Sequence, residues 1–558
     1  MNRYKGGFKE LAYNQRKKPF GSLAARTLGD VYADTAKGAR NGIELAFDTI
    51  LKGRDGLTHR QKVMNKYLNI VDVPPVDGCD LISTIDVGMQ DICEKALVDK
   101  LKELNASVGV VVLMEVATGE VKAIVNMMQG KDGGYYEMRN NAISDMMEPG
   151  STFKTASIMV ALEDGKITPD YVVDTGNGQM PMYGRVMKDH NWHRGGYGKL
   201  TVTEILGVSS NVGTSYIIDH FYGSNRQKFV DGLKRMSIDQ PLHLQISGEG
   251  KPNIRGPKER YFAKTTLPWM SIGYETQVPP ISTLTFYNAV ANNGKMVRPR
   301  FVTKVVKNGE TLKEFPVEVM RPQIAKEKSI KELQTILEQV VSMGLGRKAG
   351  SPNFKVAGKT GTAQISKGAG GYKNGGTNYL VSFAGYFPAD APQYSCIVCI
   401  QKSGLPASGG TMSGKVFHEI SEGIMAQSLK LDVKDARDSA SVFLPDVKSG
   451  NILAADYVLK HLGISTATNW SGSYATGNPI WGKAEKEGKK KVLLIKEKQY
   501  SKNAVPDVSG MGARDAIFMM ESRGIKTRIY GRGKVVKQSL VPGTRIKKGQ
   551  VCALTLDL

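Results

Sequence analysis

Three short groups of residues in this chain have the types, and the order, that nucleophilic acyl transfer requires. The first is Ser151-Thr-Phe-Lys154. A serine hydroxyl is a weak nucleophile until a neighbouring base takes its proton. On a helix, residues three apart share a face, so the Lys154 amine can reach the Ser151 hydroxyl. Lysine acts as a base only when its charge is suppressed, and a crowded cationic site is the expected cause. The second group is Ser209-Ser-Asn211, 58 positions after Ser151. Ser209 on a loop can relay a proton toward a leaving amine, and Asn211 can hold a substrate carbonyl and the lysine. The third group is Lys359-Thr-Gly-Thr362, 208 positions after Ser151. Lys359 and the hydroxyls of Thr360 and Thr362 suit a carboxylate, and Gly361 permits close approach. The backbone N–H groups of Ser151 and Thr362 would pair as an oxyanion hole, an arrangement often worth roughly 3–4 kcal/mol to a transition state. Each group alone is weak: at ordinary residue frequencies about two S-x-x-K matches arise by chance in a chain this long. Their conjunction and order carry the inference.

These residues need elements to hold them. Pro149-Gly150 breaks the chain before Ser151, and Thr152 to Leu162 reads as a helix rich in Ala, Met and Leu. Ser151 is therefore expected at a helix N-terminus, where free N–H groups and the positive dipole end favour negative charge. Lys359 to Thr362 reads as an edge strand. Cys79 to Asp86 reads as a strand, residues 87–105 as a helix, and Val110–Val116 with Val121–Val125 as a hairpin turning at Ala117-Thr-Gly-Glu120. Thr203 to Leu206 is helical, and Tyr394 to Ile400 is a buried strand. The C-x-x-C formed by Cys396 and Cys399 falls on that strand. Strand residues three apart point to opposite faces, so a structural role is expected. His190 and His193 lie close together, but nothing near them completes a metal-ligand set. No metal or cofactor is expected.

The chain has 558 residues, 41% hydrophobic and 23% charged, which suits three or four soluble domains. A net charge of +23 attracts polyanions without naming one. No zinc-finger spacing, RNP-like motif or dense basic stripe appears, so nucleic acid is not an expected partner. The sequence has no apolar run of 18 or more and no signal-peptide pattern at its start. Val73-Pro-Pro-Val-Asp-Gly78 reads as a linker. Beyond about residue 435 the pattern changes to short strands and Lys-rich turns. There Leu444-Pro-Asp-Val447 with Leu462-Gly-Ile464 recurs as Val505-Pro-Asp-Val508 with Arg523-Gly-Ile525, a repeat at an offset of 61.

S-x-x-K, S-D-N and K-T-G together are the signature of class A β-lactamases and penicillin-binding proteins. This sequence departs only at Ser210, a position variable among penicillin-binding proteins. Beyond the triplets, it resembles the class B penicillin-binding proteins, particularly the cell-division transpeptidases, over roughly residues 75–435. The matching segments are Glu148-Pro-Gly-Ser-Thr-Phe-Lys154, Leu200 to Gly213, Gly273-Tyr274 with Thr283, Ala291 to Pro299, Val356 to Gln364 and Ser382 to Pro388. Val505-Pro-Asp-Val508, Arg523-Gly-Ile525, Pro542-Gly543 and Lys548-Gly549 resemble a PASTA domain, a small wall-binding module. Phe20 to Gly29 and Asn41-Gly-Ile-Glu44 look like the end of the family's pedestal domain.

The resemblance implies an α+β fold, a serine β-lactamase-like transpeptidase domain with an antiparallel sheet flanked by helices. The expected domains are a pedestal remnant over 1–78, the transpeptidase over 79–435, a degenerate PASTA-like copy over 438–500 and a PASTA domain over 501–558. It implies that Ser151 attacks the penultimate D-Ala carbonyl of a peptidoglycan stem peptide, with Lys154 as base and Ser209 protonating the departing D-Ala. An amine on a neighbouring stem then resolves the acyl-enzyme. β-Lactams would acylate Ser151 as mimics. Other implied partners are a separate glycosyltransferase and membrane proteins of the division machinery. The implied location is the bacterial membrane with the catalytic part on the periplasmic or extracytoplasmic side. The family's cytoplasmic tail and membrane helix are missing, so N-terminal truncation is expected. The readings that compete are a D,D-carboxypeptidase or β-lactamase-like hydrolase, and a catalytically dead wall-binding or β-lactam-sensing protein.

Overall fold

The hairpin expected near 110–125 is the centre of a six-stranded antiparallel sheet. In chain order its strands are β1 (Val108–Glu115), β2 (Val121–Gln129), β3 (Tyr135–Tyr136), β4 (Ala357–Ile365), β5 (Asn378–Phe387) and β6 (Tyr394–Ser403). Their spatial order is β4-β5-β6-β1-β2-β3. The central strands are apolar on both faces, as a sheet covered on both sides must be. Val110, Val112 and Met114 enter one core, and Val111 and Leu113 enter the other. Cys399 and Cys396 divide between the same two cores, so the C-x-x-C is a pair of free, buried packing residues.

A computed structural model describes residues 16–34, 37–64, 66–365, 377–432, 447–462, 464–470, 479–487, 491–497 and 501–557. On one face of the sheet pack α1 (Val87–Leu104) and a C-terminal helix, Ser413–Asp432, which contributes Val416, Phe417, Ile420 and Ile424. On the other lie α2 (Lys154–Glu163), α3 (Asn211–Tyr222), α4 (Pro280–Ala291) and α5 (Glu327–Ser342). Every residue of α4 is buried, and nine of the ten in α2 are. Helices buried all round belong at the centre of a large domain, not at its surface. This is the α+β architecture expected from the sequence.

The strand read at Cys79–Asp86 forms over Asp80–Ser83, but outside the main sheet. It pairs with Val302–Lys307 in a separate three-stranded sheet. Several elements escaped the pattern reading, β5, α4 and α5 among them, and so did a hairpin outside the main sheet. Leu57–Val63 and Lys66–Val73 form a long hairpin whose first strand, Leu57-Thr-His-Arg-Gln-Lys-Val63, is exposed along its whole length. With neither face buried, it carries no apolar alternation to find.

Residues up to Ser428 make one compact unit, and Leu429–Leu558 make a second. In the second, α6 (Ile452–His461) precedes β7 (Ser465–Thr468), β8 (Trp481–Glu487) and β9 (Lys491–Lys496). Then α7 (Ala513–Glu521) precedes β10 (Lys526–Gly531), β11 (Lys534–Gln538) and β12 (Val551–Asp557). In both sets the strand after the helix runs parallel to the last strand, and the middle strand runs antiparallel to it. The helices begin at Ile452 and Ala513, the 61-residue offset of the sequence repeat. Each helix packs on its own sheet, over Ile452, Leu459, Val492 and Leu494 in one case and Ala516, Met520, Cys552 and Leu554 in the other. Leu444, Pro445, Asp446 and Gly463 of the first repeat lie outside the described residues.

Candidate active site

Two glycines shape the turn that carries Ser151. Gly150 has φ +57°, and a Cβ on it would lie 2.8 Å from Ala363 Cβ on β4. Gly273, at φ +84°, lies against Gly150, where a Cβ would come within 2.2 Å of the Gly150 carbonyl oxygen. The Gly150 N–H donates to the Gly273 carbonyl at 3.2 Å. Wedged between the edge strand and this second turn, Gly150–Phe153 forms a 3-10 turn that runs into α2. Ser151 thus sits at a helix N-terminus, as its sequence context suggests. A side chain at 273 has no room and would require a left-handed backbone. Gly273→Ala is expected to cost more than about 1 kcal/mol. Thermal melting should show this as a drop of a few degrees, accompanied by slower acylation of Ser151.

All three motifs converge. Ser151, Ser209, Asn211, Thr360 and Thr362 line one cavity of about 820 Å³, together with His190, Arg347, Lys348 and the segment Ala407–Thr411. Lys154 is fully buried beneath it. Its amine donates to the Ser209 carbonyl (2.7 Å), the Asn211 Oδ1 (2.7 Å) and the Ser209 Oγ (3.3 Å). Among the described residues these are its hydrogen bonds, so the amine is turned toward the second motif and not onto the Ser151 hydroxyl. Burial pushes the Lys154 amine down to about 7, while the Asp189 carboxylate pulls the other way. The cause of the suppressed charge is therefore desolvation first, not the cationic crowding expected from sequence. Ser209 itself holds φ +56°, a conformation costly for a side-chain-bearing residue and concentrated at functional sites. Its backbone is fixed by the bonds Ser209 N to Leu206 O and Ser210 N to Ile205 O.

The third motif lies on β4, at the open edge of the sheet, as expected. The alternation of the strand separates its residues. Thr360 and Thr362 face the cavity, whereas Lys359 is fully buried and donates to the Thr360 carbonyl (3.0 Å) and Thr360 Oγ1 (3.3 Å). The two hydroxyls are thus presented to the cavity, with the lysine behind them. Burial holds the Lys359 amine well below its usual range, and nearby Lys154 adds to this. Gly361 is needed for packing: a Cβ there would lie 2.2 Å from Ser382 Oγ. The Thr362 Oγ1 also accepts the Gly409 N–H at 3.2 Å.

Sequence reasoning passed over four residues of this site. Arg347 and Lys348 bring two cations to the cavity wall from a short 3-10 turn after α5, in a stretch with no motif. Asp189 and His190 sit in a segment read only for metal binding. His190 Nε2 pairs with the Tyr197 hydroxyl at 3.0 Å, and burial lowers its basicity. No periodicity links residue 189 to residue 211, so only the fold reveals their contact.

Residues 109–422 match the family described as "Penicillin binding protein transpeptidase domain", and residues 503–557 match the PASTA domain. Stage V sporulation protein D of Bacillus subtilis is 27% identical over 508 residues, covering 86% of this chain and 76% of that protein. Peptidoglycan D,D-transpeptidase FtsI of Buchnera aphidicola subsp. Baizongia pistaciae is 27% identical over 429 residues, covering 75% and 70%. Among solved structures, penicillin binding protein 3 of Mycobacterium tuberculosis is similar with a TM-score of 0.62 at 26% identity, over 74% of this chain and 91% of that one.

Proposed function

Because the chain belongs to the penicillin-binding protein transpeptidases, and is a serine-type peptidoglycan D,D-transpeptidase that binds β-lactams, we propose that Ser151 is its acyl-accepting nucleophile and Lys154 its base. The observation that carries this is the Lys154 amine, buried and poised near neutrality among Ser209 and Asn211 beneath the cavity onto which Ser151 opens. The terminal carboxylate of a D-Ala-D-Ala stem meets the hydroxyls of Thr360 and Thr362. The penultimate carbonyl oxygen lies between the N–H groups of Ser151 and Thr362. Lys154 takes the Ser151 proton as the Oγ–carbon bond forms. The Ser209 hydroxyl, 3.3 Å from that amine, passes the proton to the leaving D-Ala nitrogen as the peptide bond breaks. A stem-peptide amine then displaces Ser151 to give the cross-link. The hydrolase and inactive-protein readings are not favoured.

Residues 1–78 belong to a pedestal domain, 79–435 to the transpeptidase, and 438–500 to a degenerate PASTA copy before the PASTA domain. The parallel layouts of α6–β9 and α7–β12 support that copy. The enzyme works outside the cytoplasmic membrane, in septal wall synthesis, beside a glycosyltransferase and division proteins. Among the described residues no helix is long and apolar enough to cross a membrane.

Digestion of the protein after reaction with a fluorescent penicillin, followed by mass mapping, tests the nucleophile. One adduct is expected, on the peptide that contains Ser151. An adduct on any other residue, or none, overturns the assignment.

A further inference from the structure

Asp189 belongs to none of the three motifs. It follows the strand Arg185–Lys188, and its side chain is 1% exposed. Its Oδ1 accepts the N–H of Asn211 (2.6 Å) and of Val212 (3.0 Å), and both its oxygens accept the Ser210 hydroxyl (2.8 and 3.0 Å). Ser210 in turn accepts the Gly213 N–H at 2.9 Å and caps α3. The Asn211 side chain is gripped at both ends. Its Nδ2 donates to the carbonyl of Lys188, the neighbour of Asp189, and its Oδ1 accepts the Lys154 amine. Among the described residues no cation forms an ion pair with Asp189. Its charge is met instead by N–H and O–H dipoles at a helix N-terminus. An unsatisfied buried carboxylate would be strongly destabilising, so this full set of donors is what fixes the geometry.

We propose that Asp189 is a positioning residue of the acyl-transfer reaction: its buried carboxylate locks Ser210 and the first turn of α3 so that Asn211 presents its carbonyl to the Lys154 amine. The proposal rests on the roles given above to Ser151 and Lys154. It also accounts for the serine at 210. With an acid supplied from position 189, an aspartate at 210 would set two carboxylates against each other, whereas serine donates to the one present. The carboxylate also stabilises the protonated form of Lys154. The other charged or titratable groups facing that amine are Lys359 on β4 and His190 beside Asp189.

Asp189→Asn keeps the shape. Its carbonyl can still accept both N–H groups, and its NH2 can donate to the Ser210 hydroxyl. It removes only the charge. The midpoint of the pH profile for acylation by a fluorescent penicillin is expected to fall by on the order of one pH unit, with circular dichroism unchanged. Ser210→Asp is expected to slow acylation at least tenfold, and Asp189→Asn in the same chain to restore it, because the acid has merely changed places. A midpoint unmoved in Asp189→Asn, or Ser210→Asp reacting at the wild-type rate, overturns the proposal. If the wild-type protein shows no adduct on Ser151, the nucleophile assignment has failed instead.

Discussion

Ser151→Ala is expected to show no covalent labelling by fluorescent penicillin at any time or concentration, while its melting temperature stays within about 2 °C of wild type. Among the described residues that line the cavity, Ser151 sits at a helix N-terminus one turn from Lys154, whereas the Ser209 hydroxyl is held by the Lys154 amine as its acceptor. Ser151 is half-buried and its hydroxyl opens on the cavity, so its loss strands no buried partner. The turn is held by Gly150, Gly273 and the contacts of β4, none of which involve the hydroxyl. Retained labelling, measured by in-gel fluorescence, would refute the assignment. A large fall in melting temperature would show instead that Ser151 holds the fold.

Lys154→Ala is expected to slow acylation by about a thousandfold, within the 10²–10⁴ range of a positioned general base. It should also erase the pH dependence. In the wild-type protein the amine is held down to about 7, and only its neutral form accepts a proton. Acylation should therefore climb through pH 7 as the ammonium deprotonates and level off above it. Stopped-flow or gel-based rates between pH 5 and 9 check this, and a variant profile with the same midpoint would remove Lys154 from the role. Alanine also leaves Asn211 Oδ1 and the Ser209 carbonyl without their donor, so some loss of stability accompanies the loss of rate.

Part of the main sheet, at 110–125, 359–362 and 394–400, and the helices at 87–105 and 152–162 were legible because apolar runs and helical periods betray burial, whereas β5, α4 and α5 were not read. Val110 to Val116 reads as one arm of a hairpin and forms a strand buried on both faces. The three motifs were legible for a different reason: each packs its chemistry into three or four consecutive positions. What stayed hidden depends on distance across the fold. Lys359 reads from sequence as a group that meets substrate, yet the strand buries it behind Thr360. Asp189 is 22 positions from Asn211 and touches it. The hairpin at 57–73 was missed because its first strand is exposed along its length, so its sequence obeys no burial rule.

The edge strand β4 has a consequence beyond the reaction. An unpaired sheet edge invites any passing strand, and proteins normally blunt it with charge, twist or cover. Here the exposed flank runs along the cavity, where Thr360 and Thr362 stand opposite Ser209 and Asn211. The backbone groups along this flank are thereby shown only to chains slender enough to enter the cavity. Protection from self-association and choice of an extended peptide are two outcomes of one placement.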